Sequence, residues 1–253
     1  MLAYPHTKRF IQYIHESDAA FITRIALLKQ KPSKSTLPVH ILNKIEKHYK
    51  LRPDWIRVEY TNKSLMPWHG GVTVIEELDN NIIEAKIQIR KDKSLFSLYD
   101  PNEILLHEAI HMLRMSFPES IYEEILAYRL SDKKWRRYWG ALFYSPRITV
   151  LFLVSLLNIS SSDLAAIILN SETIWLYATI SKAIPILILS FLGLKVARAQ
   201  KNLLKCEEKL SRIFGLENVW PKIIRMSSEE INSVNINNDD VVKQMLSSSD
   251  SDI

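Results

Sequence analysis

Apolar and polar residues alternate strictly from Ile83 to Arg90: Ile83, Ala85, Ile87 and Ile89 interleave with Glu84, Lys86, Gln88 and Arg90. A period of two predicts a half-buried strand, Ile82–Arg90. Asp79-Asn80-Asn81 suits a turn before it. Gly71–Ile75 reads as its hairpin partner and Trp55–Tyr60 as a third strand. The period then lengthens. Leu105, Leu106, Ala109, Ile110, Met112 and Leu113 flank a narrow polar seam, which predicts a buried helix over Pro101–Met115. Asp100 fits its N-cap, Pro101 its first position, and Glu103 completes a capping-box spacing. Ser116-Phe117-Pro118 ends it, and a second helix is predicted from Glu119 to Leu130. Upstream, Thr7–Lys29 and Leu37–Lys50 read as helices separated by a Pro/Ser break.

Further along, the alternation disappears. Residues 148–159 read ITVLFLVSLLNI and residues 174–197 read IWLYATISKAIPILILSFLGLKVA. The second run is long enough to cross a bilayer at about 1.5 Å per residue. The first reaches that length by extending back to Tyr138 or forward to Leu169. Ser160–Asp163 offers a polar turn between them, so residues 135–198 read as a transmembrane helical hairpin. Lys133, Lys134, Arg136 and Arg137 precede it, and Lys195, Arg198 and Lys201 follow its apolar part. The positive-inside rule then predicts an integral membrane protein with both termini, and the domain that precedes the hairpin, on the cytosolic side. Trp135, Tyr138, Trp139, Trp175 and Tyr177 are candidate interfacial aromatics. Arg147 and Lys182, inside the apolar runs, require partners. Residues 199–225 read as a juxtamembrane amphipathic helix with Gly215 at a C-cap, and residues 226–253 as a disordered acidic tail.

Charge changes the picture only in part. The net formal charge is +5, but residues 227–253 hold six acids against one Lys. The basic excess therefore lies elsewhere, much of it beside apolar runs. No nucleic-acid-binding module, Gly-rich phosphate loop or internal repeat accompanies it, so nucleic acid is not an expected partner. Cys206 is alone, which rules out an intramolecular disulfide. The first residues, Met1–His6, lack the apolar run of a signal peptide.

The chemistry lies in the polar seam of the buried helix, His107-Glu108-Ala109-Ile110-His111. Side chains four apart share a helix face, so His107 and His111 can offer two imidazole nitrogens to one zinc ion (Zn2+). Glu108 is placed to act as general base on a zinc-bound water. A catalytic zinc needs three protein ligands and an open position. The next predicted helix carries Glu123 and Glu124 side by side, about 100° apart around its axis, so one of them can face the metal.

The segment Glu124-Ile125-Leu126-Ala127, following HExxH, resembles the ExxA segment of the membrane-bound CAAX-processing and stress-induced membrane metalloprotease families. The resemblance covers about residues 100–129. It implies a zinc metallopeptidase of gluzincin type with Glu124 as third ligand and Glu123 as the fallback. Tyr128 stands where those families usually carry Asp, and reads as a possible auxiliary group or as packing. His69, in a predicted turn, is a possible carbonyl-polarising group or a surface histidine.

The expected fold class is α+β. A minimal zincin-like domain (residues 1–134) would comprise N-terminal helices, a small mainly antiparallel sheet, the HExxH helix and the Glu-bearing helix. The hairpin, the juxtamembrane helix and the tail follow. In such folds an edge strand holds an extended peptide; Ile82–Arg90 is the candidate for that role, the alternative being an edge simply blunted by its charges. The expected function is membrane-tethered, zinc-dependent hydrolysis of peptide bonds, with a protein or peptide substrate and the lipid bilayer as partners. The alternative is an inactive membrane-anchored scaffold with a structural or degenerate zinc site.

Overall fold

The computed structural model describes residues 36–63, 65, 70–78, 81–91, 100–115 and 117–247, with isolated positions 19, 22, 25 and 26 before them. Most of the predicted helix over Thr7–Lys29, apart from the helical positions 19, 22, 25 and 26, and the residue His69 lie outside the described residues. The chain is α+β. Helix α1 (Val39–Tyr49) is followed by strands β1 (Arg57–Tyr60), β2 (Gly71–Leu78) and β3 (Asn81–Ile89). Helices α2 (Pro101–Leu113), α3 (Ile121–Arg129) and α4 (Lys134–Trp139) come next. Then follow α5 (Pro146–Leu169), α6 (Glu172–Ser181) and α7 (Ala183–Phe214), and finally α8 (Val219–Ile223), α9 (Ser228–Ile236) and α10 (Asp239–Ser247).

The three predicted strands form, but in the order β1-β3-β2. β3 pairs antiparallel with β2 and parallel with β1, so the sheet is mixed rather than mainly antiparallel. This corrects the assignment of Ile82–Arg90 as an edge. Over Lys86–Ile89 both of its hydrogen-bonding sides are taken, and the alternation read from its sequence reports its two faces, not its edges. Ala85, Ile87 and Ile89 do bury as the alternation requires. Among the described residues the outer side of β2 carries no strand, whereas β1 has a bridge from Thr36 to Arg57.

Helix α2 crosses β2 and β3 closely. A Cβ on Gly71 would sit 2.7 Å from the Ile104 side chain and 2.8 Å from that of Ile89. Glycine at this position is what lets the helix and strand approach. Asp100 caps α2 by accepting from the Asn102 amide at 2.9 Å. Glu103 does not close a capping box. It accepts from Ser131 Oγ (2.6 Å), the Asp132 amide (2.9 Å) and Arg136 (3.2 Å), pinning the start of α2 to the loop before α4.

Helices α5 and α6–α7 are the two apolar runs, each long and apolar enough to cross a membrane. Their most apolar windows are only 17% and 22% buried, unlike core helices of soluble domains. The first run extends forward to Leu169. The turn falls at Asn170–Ser171 and not at Ser160–Asp163, a correction with a local cause. The hydroxyls of Ser160, Ser161 and Ser162 bond back to the carbonyls of Leu156, Asn158 and Ile159, so these polar groups are satisfied within the helix and need no turn. Asn170 instead adopts the left-handed conformation (φ 43°), which asparagine tolerates at a helix end. The second run breaks at Lys182, because Pro185 cannot donate a hydrogen bond to Ser181.

Three polar rungs join the two arms: Asn158 to Tyr177 (3.0 Å), Ser162 to Ser181 (3.2 Å) and Asp163 to Lys182 (3.1 Å). Asp163 thus supplies the partner that Lys182 lacked in the sequence. Helix α7 continues unbroken past residue 198 to Phe214, ending at Gly215 (φ 80°) as expected. Its last turns bury Ala199, Leu203, Cys206 and Leu210 among the other helices.

The expected disordered tail is a correction too. Residues 228–247 form α9 and α10, and a capping box between Ser227 and Glu230 starts α9. Ile231, Val234, Val242 and Leu246 are fully buried in the same core as α1–α3. Sparse apolar residues at helical spacing suffice because a preformed core receives them.

Candidate metal centre

Two helices meet at the site. The one-turn spacing in α2 stacks His107 and His111, with their ring centroids 4.6 Å apart. Helix α3 is capped by Ser120, whose Oγ accepts from the Glu123 amide at 3.3 Å. The α2–α3 crossing brings Glu124 to the histidine pair. His107 Nε2 and His111 Nε2 are 3.1 Å apart, and the Glu124 oxygens lie 3.2 Å from His111 Nε2 and 3.6 Å from His107 Nε2.

These spacings can be tested against a metal. Zinc bonds of 2.0–2.1 Å in a tetrahedron put ligand atoms about 3.3–3.4 Å apart. The imidazole nitrogens, 3.1 Å apart, and Glu124 Oε1, 3.2 Å from His111 Nε2, lie close to that edge, while the 3.6 Å contact with His107 is made by the other oxygen, Oε2. The donor set, two neutral-capable imidazoles and one carboxylate, also suits zinc. The residues therefore fit the ion: one ligand atom from each lies close enough to the others to share it, and a fourth position would be left open.

The neighbouring carboxylate has a different partner. Glu123 is buried against Arg114, whose Nε lies 2.9 Å from both carboxylate oxygens and whose Nη2 lies 2.5 Å from Oε1. Arg114 also donates to the carbonyls of Ile224 (2.6 Å) and Met226 (2.9 Å) and lies over the Phe117 ring. So of the two adjacent glutamates Glu124 meets the histidines, and Glu123 anchors the chain between α8 and α9 beside them.

Glu108 lies between α2 and β2. Thr73 Oγ1 is 2.8 Å from Glu108 Oε2 and 3.2 Å from its main-chain carbonyl. Burial raises the Glu108 pKa, against the opposing pull of His111 and the Thr73 hydrogen bond. Burial holds His107 well below the ordinary histidine value, reinforced by the charges of His111 and Arg136. That favours the neutral ring a metal requires. Its Nδ1 is buried with no hydrogen-bond partner among the described residues. For His111, burial acts downward but is outweighed by the hydrogen bond and charge of Glu124, and the pKa is raised.

The Tyr128 ring packs on His107, with centroids 4.2 Å apart, and a Cβ on Gly140 would strike it at 2.4 Å. Arg136 sits over its other side at 5.2 Å. Tyr128 thus props the imidazole through ring packing. The site opens into a cleft of about 670 Å³. One wall is β2 (Val72, Thr73, Ile75), and the opposite wall is Phe143, Tyr144 and the first turns of α5 (Pro146, Thr149, Val150, Leu153). Thr73, Arg114 and Tyr144 escape sequence reading. Arg114, three residues after His111, was visible only as a charge in an apolar helix, and nothing local marks the other two. Comparison of the chain with family models, with curated proteins and with solved structures finds no match.

Proposed function

We propose that the chain is a membrane-tethered zinc metallopeptidase with a zincin-like arrangement of sheet, HExxH helix and Glu-bearing helix. One observation carries this reading: a donor atom from each of His107, His111 and Glu124 gathered within 4.8 Å of the others, beside a buried carboxylate, in an open cleft. His107, His111 and Glu124 would hold the ion. Zinc bound there would supply Lewis acidity, lowering the pKa of its water and polarising a carbonyl.

The remaining steps belong to the protein. Thr73 occupies Oε2 of Glu108, leaving Oε1 to accept the proton of the attacking water. Burial raises the affinity of that carboxylate for a proton, which favours uptake and later delivery to the leaving amine. Tyr128 keeps the His107 ring oriented. The outer side of β2, which pairs with no strand among the described residues, offers backbone groups to an extended peptide. By the positive-inside rule the cleft faces the cytosol.

The test is a proteome-derived peptide mixture incubated with the zinc-loaded full chain in nanodiscs and read by mass spectrometry. New peptide ends are expected with the native chain and absent with Glu108→Gln at equal zinc content. Identical peptide profiles for the two would leave a metal-binding membrane scaffold instead.

A further inference from the structure

The cleft is built partly from the membrane span itself. Phe143, Val150 and Leu153 line it, yet they are exposed large apolar residues of the kind that cover the rest of α5. The wall of the site and the lipid-facing surface are therefore one continuous apolar strip.

The depth of that strip can be read from the anchors around it. Arg147 lies in the first turn of α5. On the facing arm, Lys195 donates to the Tyr144 hydroxyl and also sits over the Tyr144 ring at 4.6 Å. Trp135, Tyr138 and Trp139 of α4 stand exposed beside them. Two cations on separate helices and a cluster of exposed aromatics mark one level as the membrane–water interface. Leu153 follows Arg147 by six residues, so it lies about 9 Å deeper at 1.5 Å per residue. The interfacial zone is only about 5–8 Å thick on each side. The cleft thus begins at the metal triad and ends at the depth of the acyl chains.

We infer that the substrate is the juxtamembrane segment of another membrane-anchored protein, cut close to its own span. This rests on the peptidase reading above. A soluble peptide would have to carry its backbone past the headgroups to fill such a cleft. A segment emerging from the bilayer already lies there. Its main chain can pair with β2, and an apolar side chain can lie on Phe143, Val150 and Leu153. An extended chain advances about 3.3 Å per residue, so roughly three residues cover the 9 Å between the two levels. Cleavage is expected within about six residues of the substrate's span, allowing as many again to reach the metal.

The experiment presents one randomised eight-residue segment in three ways to the full zinc-loaded chain in nanodiscs. In the first it abuts a single polyleucine span in the same disc. In the second a twelve-residue Gly/Ser spacer separates it from that span. In the third it is a free peptide. The abutting form should be cut at least tenfold faster than either other form, with Glu108→Gln inactive on all. Leu153→Ala and Phe143→Ala, at native zinc content, should change which residues flank the cut. Equal rates on all three forms would overturn this inference while leaving a peptidase. Faster cutting of the spaced form would do the same, showing tethering alone at work. Failure to cut any form would refute the peptidase reading, and this inference with it.

Discussion

Replacing Arg114 tests how the metal helices are held. Its side chain is fully buried, and that of Glu123 is 7% exposed. The guanidinium contacts both oxygens of that carboxylate and the carbonyls of Ile224 and Met226. Arg114→Ala leaves a carboxylate in the core without its cation, a change that costs about 3–5 kcal/mol. Each orphaned carbonyl would add about 1–3 kcal/mol if water could not reach it. Relaxation of the α8–α9 joint will return part of that, so about 4 kcal/mol is the expected total. For a chain of this size 1 kcal/mol moves the melting temperature by about 2–4 °C, so the drop should be about 8–16 °C. Arg114→Lys keeps the charge but loses the fork, and should fall roughly midway. Arg114→Met with Glu123→Leu removes both charges and should recover at least half of the loss, though not the two carbonyl bonds. The assay is thermal unfolding of zinc-loaded protein in nanodiscs, with limited proteolysis to see whether α9 and α10 are released first. A drop below 2 °C for Arg114→Ala would refute this account of the buried pair.

Three further outcomes follow from the geometry. Thr73→Val removes a hydrogen bond that holds the Glu108 pKa down. The acid limb of the kcat/KM profile should therefore move to higher pH, and a profile unchanged from the native one would deny Thr73 its role. Gly71→Ala forces a methyl against Ile104 and Ile89 and should cost about 1–3 kcal/mol by overpacking. Turnover should fall more than stability predicts, as Thr73 is carried away from Glu108; kinetics at a temperature where both proteins are folded will show it. Lys182→Ala leaves Asp163 without its cation within an apolar hairpin and should lower insertion, whereas the exchanged pair Asp163→Lys with Lys182→Asp should restore most of the loss in a hairpin insertion assay.

How much of this was legible in the chain depended on range. The start of the HExxH helix at Asp100, the α3 helix and the Gly215 terminus are decided by neighbours within four residues, and the sequence shows them. Strand β3 was legible as a strand but not as the central one, because alternation speaks of faces while pairing partners are set by distant residues. Ser160–Asp163 looked like a turn because its polarity was plain, while the hydroxyl-to-carbonyl bonds that satisfy it within the helix were not. Glu103 has the spacing of a capping box, yet Ser131 and Arg136, some thirty residues on, claim its carboxylate. Residues 227–247 are polar enough to suggest disorder; what orders them is an apolar surface assembled from the rest of the chain. At the site, residue type and spacing named His107, Glu108, His111 and the choice between Glu123 and Glu124. Only the helix crossing and the position of Arg114 separated those two. The cleft wall from α5 could not be foreseen, since it depends on where that apolar helix leaves α2 and α3.

Zinc content and coordination in the native chain and single variants test the central claim most directly. X-ray absorption of the purified protein should show one zinc per chain with nitrogen and oxygen neighbours near 2.0–2.1 Å and two histidines. His111→Ala and Glu124→Ala should lose the metal, and Glu123→Ala, if folded, should keep it. Stoichiometric zinc retained in both His111→Ala and Glu124→Ala would contradict the site.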